Sequence, residues 1–161
     1  MAVVLLLSLG GCAKPADLPD VIVSAASPGE FARFRSELGT RFTAELLKDF
    51  DTATQELQLD AMNRDVATAA GRELDMLRVA NGKPVQAVVL LGGQARRARF
   101  LREIAELTRM LERDLEQQRH TTTAGTPATV LARIQSEREV IAKLQRDLAE
   151  TERRLAEMSG K

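Results

Sequence analysis

Residues 101–118, LREIAELTRMLERDLEQQ, set Leu101, Ile104, Thr108, Leu111, Leu115 and Gln118 at alternating spacings of three and four. That alternation keeps one stripe of a helix facing a partner and is the heptad pattern of a coiled coil. Residues 127–159 repeat it, with Ile134, Ile141, Leu144, Leu148, Thr151, Leu155 and Met158 on the stripe. Between the two runs, Thr121-Thr122-Thr123-Ala124-Gly125 breaks the first helix and Thr126-Pro127 caps the second. A loop of about six residues suits antiparallel neighbours. The C-terminal half is therefore expected to be an antiparallel coiled-coil hairpin, each arm about 40 to 50 Å long at 1.5 Å per residue. Glu139 with Lys143, and Glu150 with Arg154, place acid four residues before base, an order that adds about 0.2 to 0.5 kcal/mol per pair.

Upstream, Val85-Gln86-Ala87-Val88-Val89-Leu90-Leu91 is apolar on most sides. A strand competes for this run, but a lone strand has no partner, so a buried helix starting at Pro84 is expected. Gly92-Gly93 marks a break or a close-packing point. Further back, Ser27-Pro28-Gly29-Glu30 reads as an N-cap, a first-turn proline and the glutamate of a capping box. Phe31, Phe34, Leu38, Phe42, Leu46, Phe50, Ala53 and Leu57 then follow at spacings of three and four, and Met62, Val66, Ala69, Leu74 and Leu77 extend them more weakly. One long helix over about 28–80 is expected, with Gly39 or Gly71 as bends and Asn81-Gly82-Lys83-Pro84 as its end. The fold class is all-α: a three-helix assembly with helices at about 28–80, 84–120 and 127–159. Residues 13–26 carry two prolines and no sustained period, and read as a tether, with Val21-Ile22-Val23 as extended linker.

Lys plus Arg and Asp plus Glu both number 23 in 161 residues, so no basic excess favours nucleic acid. Five Phe with no Trp or Tyr leave few stacking platforms, which argues against base or sugar recognition. His120 is the lone histidine, without the three or four ligands that zinc requires. It belongs near a helix C-terminus, where its charged form is favoured. Gly92-Gly93 lacks the Gly-Lys-Ser/Thr ending of a phosphate cradle. Arg96, Arg97, Arg99 and Arg102 form the densest basic cluster, read either as a solvated face or as a contact for anionic headgroups or an acidic partner. No paired carboxylates are set up for acid/base work. No catalytic residue, metal site, cofactor or small-molecule substrate is expected.

The remaining feature is the only cysteine. Leu9-Gly10-Gly11-Cys12 closes the apolar run Val3-Val4-Leu5-Leu6-Leu7, which is far too short to span a bilayer. This small-small-Cys ending resembles the lipobox of bacterial lipoproteins. The resemblance implies a signal peptide over 1–11, lipid attachment at Cys12 as the mature first residue, and a lipidated tether over 12–26 before a helical domain at 27–161. Ala13 in place of aspartate implies, by the same resemblance, sorting to the outer membrane on its periplasmic side. A lone cysteine capped by lipid also fits an oxidising envelope.

The helix-rich C-terminal half weakly resembles QseG-type lipoproteins, which associate with two-component sensors; that resemblance transfers no functional residue. The terminal Lys161 resembles the lysine by which the murein lipoprotein is joined to the cell wall. The leading expectation is an envelope lipoprotein that binds a protein partner through its helical seams, as an assembly factor or sensor-associated adaptor. A self-associating spacer or wall tether is the structural alternative. Only Met1 and Ala2 precede the apolar run, which leaves a cytosolic coiled-coil protein as a third reading.

Overall fold

The computed structural model describes residues 17–120 and 127–159. The signal and lipobox residues, Cys12, Ala13, the Thr-rich loop and Lys161 lie outside them. The chain is all-α. A 3-10 turn at Leu18–Asp20 precedes five helices: α1 (Pro28–Arg41), α2 (Ala44–Asn63), α3 (Ala69–Ala80), α4 (Val85–His120) and α5 (Ala128–Ser159). The run Val85–Leu91 is helical, as expected, and opens α4.

The single helix expected over 28–80 is three helices, because two threonines cap new starts inside it. Thr43 accepts from Leu46 N at 3.4 Å and opens α2, while Phe42 leaves α1 in extended conformation. Thr68 accepts from Gly71 N at 3.0 Å and opens α3, after Asp65 turns the chain through φ 64°. The breaks therefore fall beside, not at, Gly39 and Gly71. A threonine hydroxyl that accepts from one of the four orphan amides of a helix start competes with continuation of the helix. Each break also resets the phase of the apolar stripe. Leu47 is buried and Leu46 exposed; Ala61, Met76 and Ala80 are buried where Met62 and Leu74 were expected. The capping box is half formed: Ser27 accepts from Glu30 N at 3.2 Å, but the Glu30 carboxylate takes the Ser24 hydroxyl.

The core gathers Phe34, Leu38, Leu47, Phe50, Met76 and Val88. Phe31, Phe34 and Phe50 meet with ring centroids 6.2 to 6.5 Å apart, the tilted and edge-on geometry aromatic rings favour. On α4 the core cluster extends only to Ala95.

The tether reading fails from residue 17 onward. Val21, Ile22 and Val23 lie against the α3–α4 corner through an antiparallel bridge between Ile22 and Pro84. Val23 N donates to Lys83 O, Gly82 N to Val23 O and Val85 N to Val21 O, each at 2.9 Å. Ala25 N donates to Asn81 Oδ1 at 2.8 Å. Val23 is 1% exposed. The β-branched run does have a partner, but it is a turn, Asn81-Gly82-Lys83-Pro84, with Gly82 at φ 74°. The strap also supplies an acceptor to the first orphan amide of α4.

Candidate functional site: a helical arm and the node at its base

Where α2, α4 and α5 meet, neighbouring glycines serve two crossings. A Cβ on Gly92 would stand 2.4 Å from Ala53 Cα on α2, and one on Gly93 would stand 2.8 Å from Leu155 Cδ2 on α5. Gly92-Gly93 is thus a close-packing point and not a break: α4 runs through it.

Beyond this node α4 and α5 pair antiparallel. Gly93 meets Leu155, Arg97 Nε bonds Glu152 Oε1 at 2.7 Å, and Asp114 meets Arg133. Twenty-one residues down α4 correspond to twenty-two back along α5, so the register holds without a slip. The arm extends roughly 30 Å past Phe100 at 1.5 Å per residue. α4 is the helix against which α5 packs extensively.

The seam differs from expectation on α4. Phe100 is buried at 4% exposure and Leu101 stands 42% exposed. Phe100 and Asp114, the buried residues on this part of α4, fall on a stripe with Ile104, Leu107 and Leu111, which also alternates four and three. Both registers share Ile104, Leu111 and Gln118, so the pattern alone fits either. On α5 the expected seam gains Val130 and Glu137, both buried. The buried polar members are Asp114, Glu137 and Thr151. Thr151 satisfies its hydroxyl on Asp147 O at 2.8 Å. Asp114 is gripped on both oxygens by the Arg133 guanidinium, with one contact at 2.6 Å. Glu137 is 5% exposed, and neither carboxyl oxygen finds a hydrogen-bond partner among the described residues. Acids at seam positions carry no hydrophobic periodicity, so a search for apolar stripes passes over them.

Arg133 holds the Asp114 carboxyl below the usual carboxylate range, chiefly by hydrogen bonding. A carboxyl depressed in the folded state adds stability above its unfolded value and loses it as pH falls through the folded one. We expect Asp114→Asn to lower the melting temperature at neutral pH, and the gap from wild type to close as pH falls below the ordinary aspartate value of about 3.9 and through the lower folded one. Circular dichroism melts of both chains across that range check it; a pH-independent gap would assign the effect to packing.

The other singled-out residues fall as follows. His120 ends α4, exposed, with Nε2 2.7 Å from Glu116 Oε1. In the arginine cluster, Arg97 pairs with Glu152, and Arg99 grips Glu56 at 2.7 and 3.0 Å and Glu103 at 2.9 Å. Arg96 lies 3.8 Å from Glu56 and over the Phe100 ring at 5.2 Å. The cluster is largely an internal ion-pair network, which removes most of its appeal for headgroups. Among the described residues no group of three His, Cys, Asp or Glu is arranged to hold a metal ion, and no helix is long and apolar enough to cross a membrane.

No family model, curated protein or solved structure matches this chain. Its reading rests on its own residues.

Proposed function

We propose that the protein is a bacterial envelope lipoprotein, anchored through lipid on Cys12 at the outer membrane, and that it acts without catalysis as a helical protein-interaction module. The observation that supports this best is the arm, an antiparallel pair continuing far past the core with acids inside its seam. A buried carboxylate that accepts no hydrogen bond is costly, so Glu137, with only the nearby charge of Arg133 to offset its burial, lowers the local stability of the arm. Segments of low local stability are those that rearrange on binding. Exposed Leu101, Leu131 and Val140 add apolar contact surface along the arm.

Two measurements test the two halves of this reading. Intact mass of envelope-extracted protein should show a species beginning at Cys12 with acyl mass, absent from Cys12→Ala; an unmodified chain retaining Met1 would overturn the anchor. For the arm, deletion of 104–117 together with 131–144 removes two matched heptads from each helix. It keeps the loop and the node, and shortens the arm by about 21 Å. Partner recovery from detergent-solubilised envelope should fall at least severalfold; undiminished recovery of the same partner would remove the arm as the binding surface.

A further inference from the structure

The node at the base of the arm encloses a cleft of about 340 Å³ between α2, α4 and the end of α5. Its floor is small and apolar: Ala53, Gly92, Gly93 and Leu155. Its rim carries three acids and three arginines, but they are not paired alike. Asp49 is taken by Arg154 at 3.0 Å, Glu56 by Arg99 on both oxygens, and Glu157 by Arg153. Every acid lining the cleft is therefore hydrogen-bonded to an arginine other than Arg96.

Arg96 is the charge left over. Its Nε is buried with no hydrogen-bond partner. The nearest carboxylate oxygen, Glu56 Oε1 at 3.8 Å, already receives Arg99 at 2.7 Å. The guanidinium carbon lies over the Phe100 ring, 5.2 Å from its centroid. A guanidinium edge offers paired donors in a fixed fork that matches a carboxylate.

A second cavity, about 350 Å³, adjoins the first, with Asp49, Val89 and Met158 lining both. It is an apolar trough lined by Leu18, Leu46, Phe50 and Val85. Arg96 and Val85 lie eleven residues apart on α4, roughly 16 Å along its axis, so a decanoate chain headed at Arg96 would lie along most of that distance. Each cavity falls within the size range of small-molecule pockets, about 300 to 1,000 Å³. A buried guanidinium nitrogen without a hydrogen-bond partner at one end and an apolar trough at the other select an amphiphile with a single negative head.

We propose that this groove binds a medium-chain fatty carboxylate, its head on the Arg96 guanidinium and its chain along α4 toward Leu46 and Val85. The site is separate from the arm and does not depend on the lipid at Cys12. An acyl chain already esterified offers Arg96 no carboxylate, so a neutral amphiphile of equal length stands for that source.

Calorimetric titration of decanoate, below micelle formation, into the purified full-length protein tests it. The expected result is saturable one-to-one binding. Decanol should bind about ten- to a hundredfold more weakly, as should decanoate to Arg96→Gln, the loss of one charge-assisted contact. Leu46→Asp places a like charge in the trough at a position 59% exposed, so the fold survives and affinity should fall. Should Arg96→Gln not fold, as judged by circular dichroism, Leu46→Asp and decanol still decide. No saturable binding, equal affinity for decanol, or wild-type affinity in both folded variants would each overturn the proposal.

Discussion

Gly92→Ala is expected to destabilise the protein by about 3 kcal/mol or more, at the upper end of overpacking penalties. The added Cβ would lie 2.4 Å from both Cα and Cβ of Ala53 and 2.7 Å from its carbonyl oxygen. Two of these three atoms are backbone, and backbone on α2 moves only if the whole helix moves. Alanine gains up to about 1 kcal/mol of intrinsic helix propensity over glycine, which the clash exceeds. Gly93→Ala is the internal control. Its Cβ meets the tip of the Leu155 side chain at 2.8 Å, and that tip turns aside at modest cost. In denaturant unfolding we expect Gly92→Ala to lose about 3 kcal/mol or more, a large share of the stability typical of a domain, and Gly93→Ala to change it by about 1 kcal/mol or less in either direction. Equal effects at the two sites would mean that α2 and α4 do not cross at this distance. Since the groove also lines Gly92, a loosened crossing should weaken decanoate binding in step with stability.

The physics explains which parts of this fold can be read from residues alone. The hairpin is legible because its two helices are long and strictly periodic, and their partner lies close in sequence. The first half misleads because its stripe of Phe and Leu keeps spacings of three and four straight through Phe42-Thr43, where the chain turns. The hydrophobic pattern there is consistent with one helix, and the decision belongs to a hydroxyl at Thr43 that outcompetes it. Leu46 and Leu47 are adjacent leucines, so the stripe accommodates the one-residue shift without a gap. The Phe100–Leu101 ambiguity on α4 has the same origin. At the cleft, Gly92-Gly93 and the arginine cluster are both visible in the chain. What is not visible is that Arg97, Arg99 and Arg154 hydrogen-bond acids on other helices while Arg96 reaches Glu56 only at 3.8 Å. That pairing exists only once three helices are in place. Glu56, Asp114 and Glu137 are silent for a different reason: acids at buried positions look like surface acids until burial is known.

Val23→Asp is expected to destabilise the protein by about 3 to 4 kcal/mol, although the residue lies in a proline-flanked segment with no helical period. Val23 is 1% exposed and belongs to the core cluster. Losing that burial alone costs about 1.5 to 2 kcal/mol, and a carboxylate in its place is desolvated among apolar side chains. Full desolvation of the charge would cost far more, but the strap has an escape: it peels from Lys83 and Gly82 and takes the aspartate into water. Peeling forfeits the hydrogen bonds at Val21, Val23 and Gly82 and re-exposes Val23 and Ala25. The penalty is therefore capped near the free energy that holds the strap down. Ile22→Asp, at a neighbouring residue that is 56% exposed, should be nearly neutral. A detached strap would also lengthen the free chain between Cys12 and the helices, so in a membrane-anchored protein the same substitution lets the body stand further from its lipid. Chemical denaturation of the two variants, with limited proteolysis after residue 17, separates the cases. Cleavage near Ser24 in Val23→Asp but not in Ile22→Asp is the expected outcome, and equal stability in both would return the segment to the status of a linker.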